Sequence, residues 1–305
     1  MKNKKKILIV LLLLIALTTG CTKTLTDGNK KAVVNKQTGQ NLTANILCKP
    51  TDKNTIKQYE KYKVNIEKLP DCEDFKITSG GYEGLWTSIL VKPLAYIILQ
   101  IGKITKNYGL ALIIITILIR LILYPFTRKT AMQSELMKKA QPELQRIQKK
   151  YENKKDEDSM MKQSQEMMML YKKYNISPMS GCLFSFIQLP LLIAFYESIQ
   201  RIPAIFEDSF IGIQLGTTPS VGFTTATFYM YIILMLLIAL TTYYSFKMNS
   251  SGQTLDPAMA KMPIYMSIMI IVTAMFMPSA LCIYWLFGNL CTILQNYLVK
   301  KEIKS

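Results

Sequence analysis

The chain has 305 residues, 50% of them hydrophobic, and carries 37 Lys and Arg against 20 Asp and Glu, a formal net charge of +17. A mean hydropathy of +0.18 with the apolar residues gathered into long runs excludes an ordinary soluble domain. The absence of histidine removes the usual general base and a common metal ligand, so composition points away from catalysis. The basic surplus suits anionic lipid headgroups or nucleic acid as neighbours.

In chain order, Lys2 and Lys4–Lys6 precede the apolar run Ile7–Leu17 and then Thr18-Thr19-Gly20-Cys21. A basic start, a short apolar core and small residues before a cysteine make an export signal over residues 1–20. The lipobox-like ending marks Cys21 as a lipidation site, against the alternative of an ordinary signal anchor with an incidental cysteine; a leucine is usual three places before the cysteine, where Thr18 stands here. Residues 21–84 are polar and Lys- and Asn-rich, which predicts an exterior tether or a loosely folded segment. Cys48 and Cys72 fall within it and could pair. Cys182, Cys282 and Cys291 lie in apolar runs as small hydrophobes. No spacing resembles a zinc site, and neither a metal nor a cofactor is expected.

Residues 85–104 read as an amphipathic helix lying in the membrane interface. Leu85, Ile89, Leu90, Leu94, Ile97, Ile98 and Ile101 form its apolar stripe, Ser88, Lys92, Tyr96 and Gln100 recur every four residues on another side, and Lys92-Pro93 interrupts the middle. Five spans follow at about Tyr108–Thr127, Met179–Gln200, Ala226–Phe246, Met262–Met277 and Ser279–Val299. The loop Arg128–Tyr174 holds twelve basic residues and the loop Arg201–Thr225 only one. By the positive-inside rule the first loop is cytoplasmic and the second exterior, which puts the amino terminus outside and Lys300-Lys301 inside. Were residues 85–101 also to span, an exterior start would carry the twelve-base loop outside. The five-span arrangement is therefore preferred.

Within residues 128–175, Met132, Leu136, Ala140, Leu144, Ile147 and Tyr151 step by three or four. Met161, Met168 and Tyr171 recur beyond the charged turn Glu152–Asp158, which predicts an antiparallel helical hairpin. Pro142 is expected to bend its first arm. Met160, Met161 and Met167–Met169 read either as the hairpin's own seam or as a soft surface for incoming apolar segments.

Arg120 is the most informative residue. Apart from Glu197, near a span end, it is the one charge within the five spans. It lies seven residues, about 10 Å, from the span end at Thr127. An arginine at such depth costs at least about 2.5 kcal/mol in lipid, and no acid is found at comparable depth to offset it. Thr116, Tyr124 and Thr127 share its helix side. Gly181, Ser185, Gln188 and Tyr196 make a mixed face on the second span, and Trp285, Gly288, Asn289, Thr292 and Gln295 make another on the last. Each stripe alone reads as helix-packing glue. Three of them with an unpaired arginine point to a wet intramembrane groove.

Ile119-Arg120-Leu121 followed by Tyr124-Pro125 and a Gln-, Lys- and Met-rich hairpin resembles the first span and loop of the YidC membrane protein insertase family. Ser177–Pro190 (SPMSGCLFSFIQLP) resembles the second span of that family and Met277–Gln295 (MPSALCIYWLFGNLCTILQ) its last. The resemblance runs from about Leu85 to Lys301, and the lipobox and five spans are similar to the Gram-positive type. It implies an all-α membrane protein of five transmembrane helices, with residues 85–305 as insertase domain, a cytoplasmic hairpin and an exterior amphipathic helix. It also implies a non-enzymatic insertase or chaperone in the bacterial cytoplasmic membrane. The groove arginine of the family falls on Arg120, and two further groove positions fall on Gln188 and Trp285. Nascent membrane proteins, membrane lipids, the Sec translocase and the ribosome are the partners so implied. The alternative reading is a small-solute transporter or channel whose intramembrane arginine binds an anion; the asymmetric five spans, without an inverted repeat, argue against it.

Overall fold

Asymmetric use of apolar residues along the chain gives mostly helical structure among the described residues. The computed structural model describes residues 22–154, 156–177, 180–250 and 261–304. The expected signal and Cys21 lie outside these. Two compact units divide the chain. One comprises Met1–Thr116, Leu189–Met235 and Ala274–Trp285; the other comprises Ile117–Gln188, Leu236–Thr273 and Leu286–Ser305.

In the first unit the segment expected to be a loose tether has a core of its own. Backbone bridges pair Thr24 with Thr43, Thr26 with Ala32 and Val34 with Asn41. Helix α1 (Lys53–Lys61) opens on Asp52, whose side chain accepts from the Thr55 amide, satisfying an orphan donor of the first turn. Leu25, Val33, Leu42, Ile46 and Tyr59 are buried together, and a disulfide joins Cys48 to Cys72. Low average hydrophobicity conceals this fold, because a few well-placed apolar side chains and a cross-link suffice for a small domain.

A π-helical turn (Thr87–Val91) leads directly into α2 (Lys92–Thr105). Its faces differ from the expected division. Lys92, expected on the side opposite the apolar stripe, is buried, and its Nζ donates to the carbonyls of Ser79 (2.6 Å) and Gly81. Val91, Ala95, Ile98 and Leu99 are buried with it, whereas Leu85, Ile89, Ile97 and Ile104 are exposed. The helix therefore divides between a protein-facing side and an apolar open side.

Helix α3 (Tyr108–Tyr151) runs 44 residues without a break at Thr127, with Pro125 and Pro142 inside it. The expected first span and first hairpin arm are thus one element of about 66 Å. Helix α4 (Glu157–Lys173) is capped by Asp156, which accepts from the Ser159 amide. It packs antiparallel on α3. Met137, Ala140, Leu144, Leu170 and Ile176 form the seam, with Met167, Tyr171 and Tyr174 against it. Lys150 pairs with Glu166, and Lys173 with Glu143. Met161 and Met168, expected on the α4 stripe, are instead exposed together with Met160 and Met169.

Helix α5 (Ser180–Gln200) is followed by the short α6 (Pro203–Glu207), strands β1 (Ser209–Phe210) and β2 (Ile213–Gln214), and α7 (Pro219–Gly222). Helices α8 (Phe228–Ser250), α9 (Met262–Ala274) and α10 (Ser279–Lys304) complete the chain. Among the described residues Thr87–Thr105, Tyr108–Tyr151 and Phe228–Asn249 are long and apolar enough to cross a membrane, and Pro263–Ala274 is a shorter apolar helix. Their outward side chains, such as Leu121, Ile122, Leu236, Leu240 and Ile268, are exposed. So much open apolar surface suits lipid rather than water.

Arg201 anchors the first unit. It is fully buried. Its Nε donates to the Asn45 carbonyl at 2.7 Å, and its Nη2 pairs with Glu83 at 2.5 Å. Nearby on α5, Ser198 donates to the Val91 carbonyl, and Glu197 accepts from Trp86 Nε1 at 3.3 Å.

Candidate groove residues and their surroundings

In the second unit Arg120 projects from α3 and is half-buried. No carboxylate of the described residues lies within ion-pair distance of it. Its guanidinium lies against a glycine on α10. A side-chain carbon built on Gly288 would stand 2.8 Å from Arg120 Nη2 and 3.6 Å from Cζ. The guanidinium therefore rests on bare helix backbone, a close approach open only to a residue without Cβ.

The α10 side chains around that seat are held in place. Asn289 is buried, and its Nδ2 donates to Thr242 Oγ1 of α8 at 2.8 Å. Thr292 donates back to the Gly288 carbonyl at 2.9 Å. Deeper along the same pair of helices, the Thr127 hydroxyl lies 2.9 Å from Gln295 Oε1, and Arg128 pairs with Glu302. Asn296 donates to Asn249 Oδ1 at 3.1 Å, and Ser134 to the Asn249 carbonyl at 2.9 Å. These side-chain bonds stitch α3, α8 and α10 together within the unit and leave Arg120 outside the network. Pro125 follows Tyr124 and has no amide proton, so the Leu121 carbonyl lacks its helical donor.

Of the expected groove residues, Arg120, Tyr124, Gln188, Asn289 and Thr292 belong to this unit. Tyr124 and Gln188 are half-buried. Ser185 lies in α5, and its side chain is outside the described residues. Thr116 and Trp285 belong to the other unit. Thr116 is fully buried and donates to the Leu112 carbonyl of its own helix at 2.6 Å, which is how a threonine behaves as packing in an apolar helix. Trp285 is half-buried and follows Tyr284, whose ring stacks on Phe195 at 4.0 Å. The roles of Gly288 as a seat and of Thr242 as the Asn289 partner are not legible from spacing, because both depend on which helices meet. Among the described residues no group of His, Cys, Asp or Glu could hold a metal ion.

Electrostatics outside the spans concentrate on the hairpin. Tyr174 and Lys173 hold the Glu143 carboxyl below the usual carboxylate range, and Lys150 with Tyr151 does the same for Glu166. Both carboxylates are screened by solvent, so they tune the hairpin rather than build it.

Residues 100–305 match the 60Kd inner membrane protein family. The chain is 39% identical over 217 residues to membrane protein insertase MisCA of Bacillus subtilis, covering 70% of this chain and 79% of that protein. It is 35% identical over 224 residues to membrane protein insertase YidC 2 of Listeria innocua, covering 73% and 74%. Against YidC of Oceanobacillus iheyensis the identity is 36%, covering 73% and 86%. A crystal structure of active YidC insertase with its first transmembrane domain resolved matches with a TM-score of 0.53 at 25% identity. That match covers 81% of this chain and 53% of the solved one. Family, helices and open apolar surface agree: the chain is a multi-pass membrane protein, and it belongs to the 60Kd inner membrane protein family, that of the YidC and MisCA membrane protein insertases.

Proposed function

We propose that this chain inserts nascent membrane proteins from the cytoplasm into the lipid bilayer through a water-accessible groove whose working charge is Arg120. The observation that carries the reading is the guanidinium seated on Gly288 with no carboxylate partner among the described residues. A charge kept in an apolar helix at such cost acts on something that comes and goes. Arg120 attracts acidic groups of a polar tail, and Tyr124, Gln188, Ser185, Asn289 and Thr292 supply polar surface. A wet groove shortens the low-dielectric path for that tail. The apolar client segment moves sideways into lipid, driven by its own transfer free energy, so no nucleotide or cofactor is required.

In this reading residues 1–20 are removed and Cys21 carries lipid on the exterior face, where the Cys48–Cys72 disulfide also belongs. Five spans place residues 128–175 and the Lys300-Lys301 tail in the cytoplasm, and residues 85–104 lie in the outer interface with Leu85, Ile89, Ile97 and Ile104 toward lipid. Exposed Met160, Met161, Met168 and Met169 offer incoming segments an adaptable surface, and the basic loop and tail are where the ribosome or Sec translocase docks. The deciding experiment compares insertion of single-span clients with acidic tails at matched levels of folded protein. Arg120→Lys retains most activity and Arg120→Ala loses it, because charge rather than a fork of donors is needed. Undiminished insertion by Arg120→Ala refutes the groove-charge mechanism.

A further inference from the structure

The hairpin formed by β1 and β2 carries a residue that its local structure does not explain. Ser209 pairs with Gln214 and Phe210 with Ile213, leaving Ile211-Gly212 as a two-residue loop. Both have positive φ, +50° and +75°, as a type I′ turn requires. Gly212 suits that turn. Ile211 does not, since a β-branched side chain in the left-handed region is a true outlier and Asn, Asp or Gly is the usual choice. The other described non-glycine residues with positive φ are Lys30, Lys63, Lys106 and Asn175. Ile211 is also 65% exposed, so packing against the protein does not offset its backbone strain.

Its location supplies the reason. Asp208 accepts from the Tyr108 amide at 2.6 Å, and Asn107 donates to the Ser209 carbonyl at 3.0 Å. Phe210 covers Gly109 so closely that a side-chain carbon there would meet the ring at 2.3 Å. On the other side, Tyr231 of α8 accepts from the Gln214 amide at 3.1 Å, and Gly212 lies beside Thr227 and Met230. The hairpin is thus clamped to the first turns of α3 and α8, both long and apolar enough to span a membrane. Leu110, Phe228 and Tyr229 on those turns are exposed apolar side chains, and Ile211 extends the surface they begin.

We propose that the hairpin tip is a membrane anchor, with Ile211 buried in the boundary between headgroups and acyl chains where these two helices enter the bilayer. The partner is the lipid itself. Burial in that boundary compensates for both the exposure and the turn strain, and the clamp passes the anchoring on to the depth of α3 and α8. This inference rests on membrane residence and does not depend on the role of Arg120.

The test uses the full chain in liposomes of phosphatidylcholine and phosphatidylglycerol, with Cys21, Cys182, Cys282 and Cys291 replaced by alanine and the Cys48–Cys72 disulfide kept. A polarity-sensitive fluorophore is attached at Ile211→Cys or, for comparison, at Lys30→Cys, which shares the positive φ and is exposed. Lipids carry a nitroxide either on the headgroup or at a shallow acyl position. The expected result is several-fold stronger quenching at position 211 than at position 30, and stronger quenching at 211 by the acyl nitroxide than by the headgroup nitroxide. Equal quenching at the two positions overturns the anchor, as does headgroup quenching exceeding acyl quenching at 211. Absence of quenching at 211, as expected if a protein partner covered it, overturns it too.

Discussion

Gly288 offers a way to move the Arg120 charge without removing it. In Gly288→Ala the new carbon stands 2.8 Å from Nη2, against ordinary contact beginning at 3.4 Å, so the guanidinium must retreat by about 0.6 Å. A flexible side chain end can do so. The helix meanwhile gains about 1 kcal/mol from replacing an interior glycine by alanine, so Gly288→Ala should be as stable as wild type or slightly more so, with modestly reduced insertion. Gly288→Leu fills the seat and evicts the guanidinium. Its insertion of acidic-tailed clients should fall about tenfold, the equivalent of about 1.4 kcal/mol, approaching the loss in Arg120→Ala. The assay is protease protection of a single-span client in proteoliposomes at matched insertase levels, beside a detergent melting curve for each variant. A double variant, Arg120→Ala with Gly288→Leu, should be no worse than Arg120→Ala alone if the glycine acts through the arginine. Full insertion by folded Gly288→Leu, or additive losses in the double variant, would refute the reasoning.

Arg201→Met should lower the stability of the first unit by about 3 kcal/mol, because it strands Glu83 and the Asn45 carbonyl that the buried guanidinium now satisfies. Thermal unfolding and proteolysis of residues 22–84 would measure this, and a loss near zero would show that water replaces the guanidinium. The hairpin should loosen in acid. Glu143 and Glu166 are held below the ordinary carboxylate range, so their contribution is complete above the unfolded pKa of about 4.3 and disappears as pH falls through the lower folded values. Hydrogen exchange over α4, corrected for intrinsic rates, should report reduced protection in acid, and Glu143→Gln with Glu166→Gln should flatten that dependence. Unchanged protection across the acid range in the wild type would remove these carboxylates from the account.

Sequence by itself determined the class of protein and the family, and it singled out Arg120 as the charge to test. Tyr108–Thr127 and Ala226–Phe246 are legible as lipid-crossing segments because transfer free energy sums over contiguous apolar residues and must cover a fixed bilayer thickness. Arg120 stands out for the same reason, as a costly break in such a sum. The first hairpin arm was legible from helical period alone, through Leu136, Ala140 and Leu144. Tertiary structure decided what period and composition leave open. Residues 22–84 acquire a core only when Leu25, Val33 and Leu42 pair across a cross-linked chain, which lowers no local hydropathy signal. Met161 and Met168 face outward and Met167 and Leu170 inward, because the angle at which α4 meets α3 selects one of two neighbouring apolar stripes. Lys92, polar by type, is buried because two carbonyls of a neighbouring loop receive it, and Gly288 matters because α10 happens to pass beneath Arg120. Local propensities act along a segment, while contacts between distant segments depend on how whole helices pack, and that packing is where the seat of the charge was settled.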